Sequence, residues 1–182
     1  MGFDKLTALF DGIPLARRVA LNLRELEPLF VTTPAVGDGI SDLPFVRLIV
    51  TEPTAGSAIT LALAHATIPP DLHLAVLPCD VPFLDTARIR AVVERVADDA
   101  DVSWPVCDGT PGHPVIWSPT ARARIPALRE DEPPSRVRRD PALRTHAIDV
   151  DDDAYVTDTD TPAAWAAATA RAARARSDAL TS

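Results

Sequence analysis

Asp80 is the carboxylate best placed to do chemistry in this chain. It ends the stretch Leu77-Pro78-Cys79-Asp80, which follows the aliphatic run Leu72-His73-Leu74-Ala75-Val76, and Pro82 comes two residues later. The run reads as a buried strand, and a proline cannot continue a central strand. In open α/β sheets ligands collect beyond the carboxyl ends of the strands. A lone Asp there suits a hard cation such as Mg²⁺ held against a phosphate. The same residue would serve equally as a turn Asp that only caps backbone amides.

Three further positions carry chemistry-bearing side chains. Lys5 is the single lysine among 18 basic residues, the other 17 being arginine. A compact ammonium kept at one position points to a point-charge role, against a surface charge kept by chance. Asp158-Thr159-Asp160-Thr161-Pro162 stands just before an Ala-rich helix, at a helix N-terminus where a phosphate or a metal can be held. Capping by Asp160 or Thr161 accounts for part of that pattern. His113 lies between Gly112 and Pro114 in a turn, a setting in which a neutral histidine is more often structural than catalytic.

Other chemistries lack their residues. The acidic cluster from Asp149 to Asp160 has neither the Gly at the sixth position nor the Glu at the twelfth that an EF-hand loop requires. No Ser/His/Asp order and no paired-His spacing supports hydrolysis. Neither a G-x-x-x-x-G-K-[ST] phosphate loop nor a G-x-G-x-x-G fingerprint occurs, which argues against P-loop ATPases and ordinary NAD enzymes.

The elements that must position these groups alternate. A helix is predicted over Pro14 to Leu26, and strands at Leu29-Phe30-Val31 and Val46 to Val50, with a loop from Pro34 to Pro44 between them. The loop Pro53-Thr54-Ala55-Gly56-Ser57 leads to a helix capped by Thr54 or Ser57. Further helices are predicted over Thr86 to Ala97 and from Thr161-Pro162 to about Arg176. Strands are predicted at Asp101 to Val106, Val115-Ile116-Trp117 and His146 to Val150. This order predicts an α/β fold with a mostly parallel sheet and helices on both faces.

With 182 residues, 47% of them hydrophobic, the chain is expected to form one domain, residues 1–182. No run approaches the ~18 apolar residues of a membrane span and no secretory signal heads the chain, so the expected location is the cytoplasm. Cys79 and Cys107 match no metal or redox spacing and read as buried thiols. A net charge of −8 repels nucleic acid and anionic membranes, and neither is expected as a partner. If the ligand is a polyanion, a divalent metal or a local cationic patch must offset that repulsion.

Taken in order, the motifs resemble those of the MobA-like nucleotidyltransferase family, whose members join nucleotides to the molybdenum cofactor. Met1-Gly2-Phe3-Asp4-Lys5 is similar to the M-G-x-D-K that ends the family's first loop, and Asp11-Gly12-Ile13-Pro14-Leu15 to its G-x-P-L. Leu77-Pro78-Cys79-Asp80-Val81-Pro82 resembles its D-x-P strand end, and Gly112-His113-Pro114-Val115 the G-H-P-V of the cytidylyltransferase branch. Asp158-Thr159-Asp160-Thr161-Pro162 resembles its closing D-x-D-T-P.

The resemblance implies a three-layer α/β/α, Rossmann-like nucleotidyltransferase fold with a mixed sheet. It implies CTP or GTP as donor, Mg²⁺ as cofactor, and a phosphate of molybdopterin as acceptor, with pyrophosphate leaving. Asp80 would hold Mg²⁺ with help from Asp158, and Lys5 would stabilise triphosphate charge as a second catalytic group. Gly2, Gly56 and Ser57 would approach the nucleotide, and His113 would stand on the acceptor side. Molybdoenzyme maturation proteins are a further implied class of partner. Two alternatives stay open: transfer to another phosphorylated acceptor such as a sugar phosphate or cobinamide, and a non-catalytic pterin- or partner-binding module. The family opens with a strand and a loop of the form L-A-A/G-G-x-S-x-R, for which Met1 stands too late. The expectation is that codons upstream of Met1 encode that strand and loop, the alternative being a short protein that covers the gap by dimerising.

Overall fold

The computed structural model describes residues 4–52 and 56–181. Gly2 and the rest of the Met1-Gly2-Phe3 opening therefore lie outside the described residues, as does Thr54. The chain begins with a hairpin of β1 (Leu9–Phe10) and β2 (Ile13–Pro14), turned by Asp11 and Gly12 at φ 50° and 87°. Asp-Gly with both φ values positive is the turn chemistry that matches the twist of a two-residue hairpin. Helix α1 (Leu15–Asn22) follows, with Leu15, Ala16, Val19 and Ala20 buried along one face. It is shorter than the predicted helix, because the chain tightens into a one-turn 3₁₀ segment at Arg24–Leu26.

Strand β3 (Leu29–Thr32) leads to a short helix α2 (Pro34–Asp38), where the sequence predicts only loop; Pro34 occupies its first position. Then come β4 (Arg47–Val50), α3 (Ser57–Thr67), β5 (Leu74–Val76) and α4 (Thr86–Val93). Asp85 caps α4 by accepting from the Arg88 N–H at 2.9 Å. The remaining elements are β6 (Val102–Cys107), β7 (Thr110–Pro111), β8 (Val115–Trp117), α5 (Pro119–Arg122), α6 (Ser135–Arg138), β9 (Thr145–Val150) and α7 (Pro162–Thr181). Thr161 caps α7 through its hydroxyl, which accepts from the Ala164 N–H at 3.0 Å, as Thr-Pro at that place predicts.

The sheet is mixed. Its five strands place β8 antiparallel between β5 and β6, β7 antiparallel and β9 parallel to β6, while β3 and β4 form a separate parallel pair among the described residues. Neighbouring residues of β8 point to opposite faces. Ile116 joins a core with Val19 and Leu23 of α1, Ile89 and Val92 of α4, and Ile148 of β9. Trp117 joins a second core with Leu61 of α3, Val102, Ala121 and Val137. Helices thus cover both faces, giving three layers. A third, smaller cluster packs Phe10 and Leu15 against Ala168 of α7, with Trp165 edge-on to Phe10 at 5.7 Å.

The aliphatic run before Asp80 is less buried than its sequence predicts. Leu74 and Val76 are half-buried, Ala75 is exposed, and Leu72 is 50% exposed. Among the described residues β5 pairs with β8 alone, and β3 with β4 alone, so each leaves one ladder edge without a neighbour. No described helix is long and apolar enough to cross a membrane.

Candidate active site

The residues after β5 turn sharply at Pro78 and bring Asp80 to the floor of a cavity of about 180 Å³. Its wall includes Pro78, Asp80, His113, Tyr155, Asp158 and Asp160, which come from three separate stretches of chain. Asp80 is only 8% exposed, and its Oδ1 is buried without a hydrogen-bond partner among the described residues. A buried carboxylate oxygen left unpaired is costly. An oxygen of this kind lining a cavity fits a cation ligand.

Its other oxygen is taken. The Lys5 ammonium lies 2.5 Å from Asp80 Oδ2 and also donates to Asp160 Oδ1. Burial pulls the basicity of Lys5 down, but the hydrogen bonds it donates to Asp160 and Asp80 outweigh it, and the net shift is upward. The same hydrogen bond from Lys5 holds the Asp160 carboxyl below its ordinary value. Lys5 therefore stands as a charged point cation shared by two carboxylates 80 residues apart in sequence (80 to 160).

Burial alternates along Asp158-Thr159-Asp160. Thr159 is fully buried, with its hydroxyl 3.4 Å from the Asp80 carbonyl, while Asp158 and Asp160 face outward toward the cavity. Period-two alternation is what an extended D-x-D segment imposes. It follows that both carboxylates share one side. The sequence points to Asp158 as the second metal ligand and to Asp160 or Thr161 as the helix cap. In the structure Asp160 pairs with Lys5, and Asp158 accepts the Asp160 backbone N–H at 3.1 Å. The alternation itself was the signal for Asp160. Among the described residues no three His, Cys, Asp or Glu side chains converge as a ready-made metal cage. That agrees with the way Mg²⁺ binds, through one or two carboxylates plus substrate phosphates and water.

His113 forms the opposite wall. Its backbone N–H donates to the Tyr155 carbonyl at 2.9 Å, and its peptide bond to Pro114 is cis. Its ring Nδ1 is buried and has no hydrogen-bond partner among the described residues. Burial pushes its pKa below the ordinary histidine value, opposed by the nearby Asp80 charge. The ring is therefore held neutral near pH 7. Cys79, next to Asp80, has its thiol pushed up to about 12 by burial and then by the Asp80 charge, so it is no nucleophile. Cys79 and Cys107 are both free thiols.

Gly56 and Ser57 stand elsewhere, at the N-terminus of α3, and neither lines this cavity. Gly56 itself is the cap residue and no side chain caps the helix, so Ser57 is the first helical residue and not the cap. A Cβ on Gly56 would meet the Glu130 carbonyl at 3.0 Å, which gives that glycine a packing reason.

A profile of the MobA-like NTP transferase domain matches residues 1–148. The chain belongs to the MobA-like NTP transferase family. Solved MobA-like and other nucleotidyltransferase structures share its fold. The manganese complex of Rv0371c from Mycobacterium tuberculosis superposes with a TM-score of 0.74 at 16% identity, covering 91% of this chain and 90% of the other. Molybdopterin-guanine dinucleotide biosynthesis protein A from Archaeoglobus fulgidus gives 0.71 at 15%, covering 95% and 92%. A CMP:2-keto-3-deoxy-manno-octonic acid synthetase complexed with CTP gives 0.73 at 13%, covering 93% and 92%. A comparison with curated protein sequences finds no match. In this MobA-like chain Asp80, the Gly112-His113 turn and Asp158 to Asp160 meet at one cavity, with Lys5 bound to Asp80 beside it.

Proposed function

We propose that this protein transfers CMP or GMP from the nucleoside triphosphate to a phosphate of molybdopterin, releasing pyrophosphate. The observation that carries the reading is Asp80: a buried carboxylate with one unpaired oxygen on a cavity wall, beside an ammonium and a second pair of carboxylates. Family membership supports the reaction type, and the manganese and CTP complexes of similarly folded proteins support a divalent ion and a nucleotide as ligands. Two free thiols are compatible with a cytoplasmic enzyme, which is where we place it.

In this reaction an acceptor phosphate oxygen forms a new bond to the α-phosphorus. The bond from that phosphorus to the bridging oxygen of the β-phosphate breaks, and pyrophosphate carries the electron pair away. The acceptor oxygen is already ionised, so the site must supply position and charge stabilisation more than proton transfer. Asp80, with Asp158 beside it, would hold Mg²⁺, which when bound offsets phosphate charge and orients the triphosphate. Lys5 neutralises charge on the phosphates as a point cation. His113, neutral and facing Asp80 across the cavity, orients the acceptor without drawing a proton from it. Gly2, Gly56 and Ser57 are proposed for the nucleotide side on the family resemblance. One folded unit over residues 1–182, with molybdoenzyme maturation proteins as its downstream partners, completes the reading.

The test is pyrophosphate release from CTP and from GTP, with Mg²⁺ or Mn²⁺, over a panel of molybdopterin, sugar phosphates and cobinamide. Release that requires molybdopterin and a divalent ion is the expected result. Release only with another acceptor would reassign the substrate, and no release with any acceptor would retire the enzyme reading in favour of a binding module.

A further inference from the structure

Lys5 occupies the place that a cation would take. Its ammonium sits 2.5 Å from Asp80 Oδ2 and bridges to Asp160, so the two oxygens most open to an incoming ion are already neutralised by the chain itself. Among the described residues Asp80 Oδ1 stays buried and unpaired, and Asp158 lines the same cavity without touching the ammonium. A free divalent ion reaching Oδ1 would stand a few ångströms from that positive charge and be repelled by it. A triphosphate changes that balance, because it brings its own negative oxygens and offers the ammonium a new partner.

Resting on the nucleotidyl-transfer reading, we propose that Lys5 is a placeholder cation. In the free protein it fills the Asp80–Asp160 pair, and it moves to the phosphate oxygens only when the ion arrives already chelated by a nucleoside triphosphate. The ligand that the site takes is therefore the metal–nucleotide complex, and the free ion binds weakly. The side-chain chemistry suits the exchange. A lysine ammonium is a compact charge on a flexible stem, whereas an arginine fork would bind a carboxylate bidentately and be slow to let go. In a chain with 17 arginines, this is where the one lysine stands. Its side chain is about a quarter exposed, so the stem has room to swing.

Two measurements test the exchange. The first is Mn²⁺ binding without nucleotide, by electron paramagnetic resonance, to the wild type, Lys5→Met and Lys5→Met/Asp80→Asn. Lys5→Met should bind Mn²⁺ at least about tenfold more tightly than the wild type, since the competing charge is gone and the stem is kept. The double variant should lose that gain. Equal affinity in the wild type and Lys5→Met overturns the proposal. The second needs no variant: lysine-selective ¹⁵N labelling gives one side-chain Nζ signal. Mg²⁺ alone should leave it in place, and Mg²⁺ with CTP or GTP should move it. Movement by Mg²⁺ alone to the same extent overturns the exchange. A tightened Mn²⁺ site in Lys5→Met with no Nζ response to either nucleotide would retire the nucleotidyl reading and the hand-over, and leave Lys5 only as a competitor for the ion.

Discussion

The backbone of Gly112 lies so close to Tyr155 that a Cβ on the glycine would stand 2.3 Å from the Tyr155 carbonyl oxygen. The same oxygen accepts the His113 N–H at 2.9 Å, and the Gly112 N–H donates to Pro105 at 2.8 Å. The turn before β8 and the 3₁₀ segment Asp153–Tyr155 are thereby pinned together as two walls of the cavity. Gly112→Ala must push them apart. The expected cost is about 1–3 kcal/mol, which for a chain of this size lowers Tm by roughly 2–4 °C per kcal/mol. Pyrophosphate release should fall with it, because His113 moves too. A wild-type Tm and rate in Gly112→Ala would show that the contact relaxes freely.

Asp80→Asn keeps the shape of the side chain and removes its charge. If Asp80 holds the ion, nucleotidyl transfer should fall at least about a hundredfold, the scale seen when one charge-stabilising group is removed from a transition state. Tm should stay within a few degrees, since the cavity is polar and the Thr159 contact is to the Asp80 backbone. Asp158→Asn should cost less, because Asp158 is exposed and its Oδ1 already accepts the Asp160 N–H. Steady-state pyrophosphate release, measured beside thermal melts, decides the ranking. Full activity in Asp80→Asn sinks the assignment.

Much of this site was legible before any coordinate. The D-x-P turn after an aliphatic strand, the isolated lysine and the D-x-D-T-P before the last helix do converge on one cavity. What sequence could not give was pairing. Lys5 meets Asp80 across 75 residues, and no local pattern fixes which carboxylate a flexible ammonium will choose. Asp160 has a sufficient local explanation as a possible cap beside Thr161, which does the capping as expected, so its pairing with Lys5 leaves no local trace. The short helix over Pro34–Asp38 was hidden by Pro and Gly in a five-residue element. The hairpin at Leu9 to Pro14 carried an Asp-Gly signal that was read only as part of a motif. The burial of β5 was overestimated because an aliphatic run reports an intrinsic preference, whereas its exposure depends on how many neighbours the strand has.

His113 should leave a signature in the pH dependence of stability. Its folded-state pKa is lowered from the ordinary 6.5, chiefly by burial. As pH falls below about 6.5 the unfolded chain takes up this proton first, so folding is disfavoured. The contribution is thus fully present above pH 6.5 and is lost as pH falls through the lower, folded value. Urea unfolding at pH 7.5 and 5.5 should show the wild type losing more stability on acidification than His113→Gln, which has no proton to gain. Identical losses in the two proteins would mean that the ring is solvated and titrates normally.

Arg122 is fully buried, yet it belongs to no ion pair and lines no part of the cavity among the described residues. Its Nη1 donates to the carbonyls of Pro69 and Leu72, and its Nη2 to those of His65 and Ile68. Four acceptors at the C-terminal end of α3 and in the link to β5 are therefore satisfied by one guanidinium. A helix C-terminus leaves just such carbonyls unpaired and favours a cation beside them. Arg122→Met would take the donor from these part-buried carbonyls, at an expected cost of about 1–3 kcal/mol. Arg122→Lys should recover only part of it, because an ammonium does not present the planar fork that reaches both pairs of carbonyls. The loss should appear as a lower urea midpoint with an unchanged slope. Below the transition, pyrophosphate release per folded molecule should stay within a few-fold of wild type, since no group at the cavity has changed. A wild-type midpoint in Arg122→Met would show that water takes over these carbonyls at no cost, and that the arginine is not what fixes α3 ahead of β5.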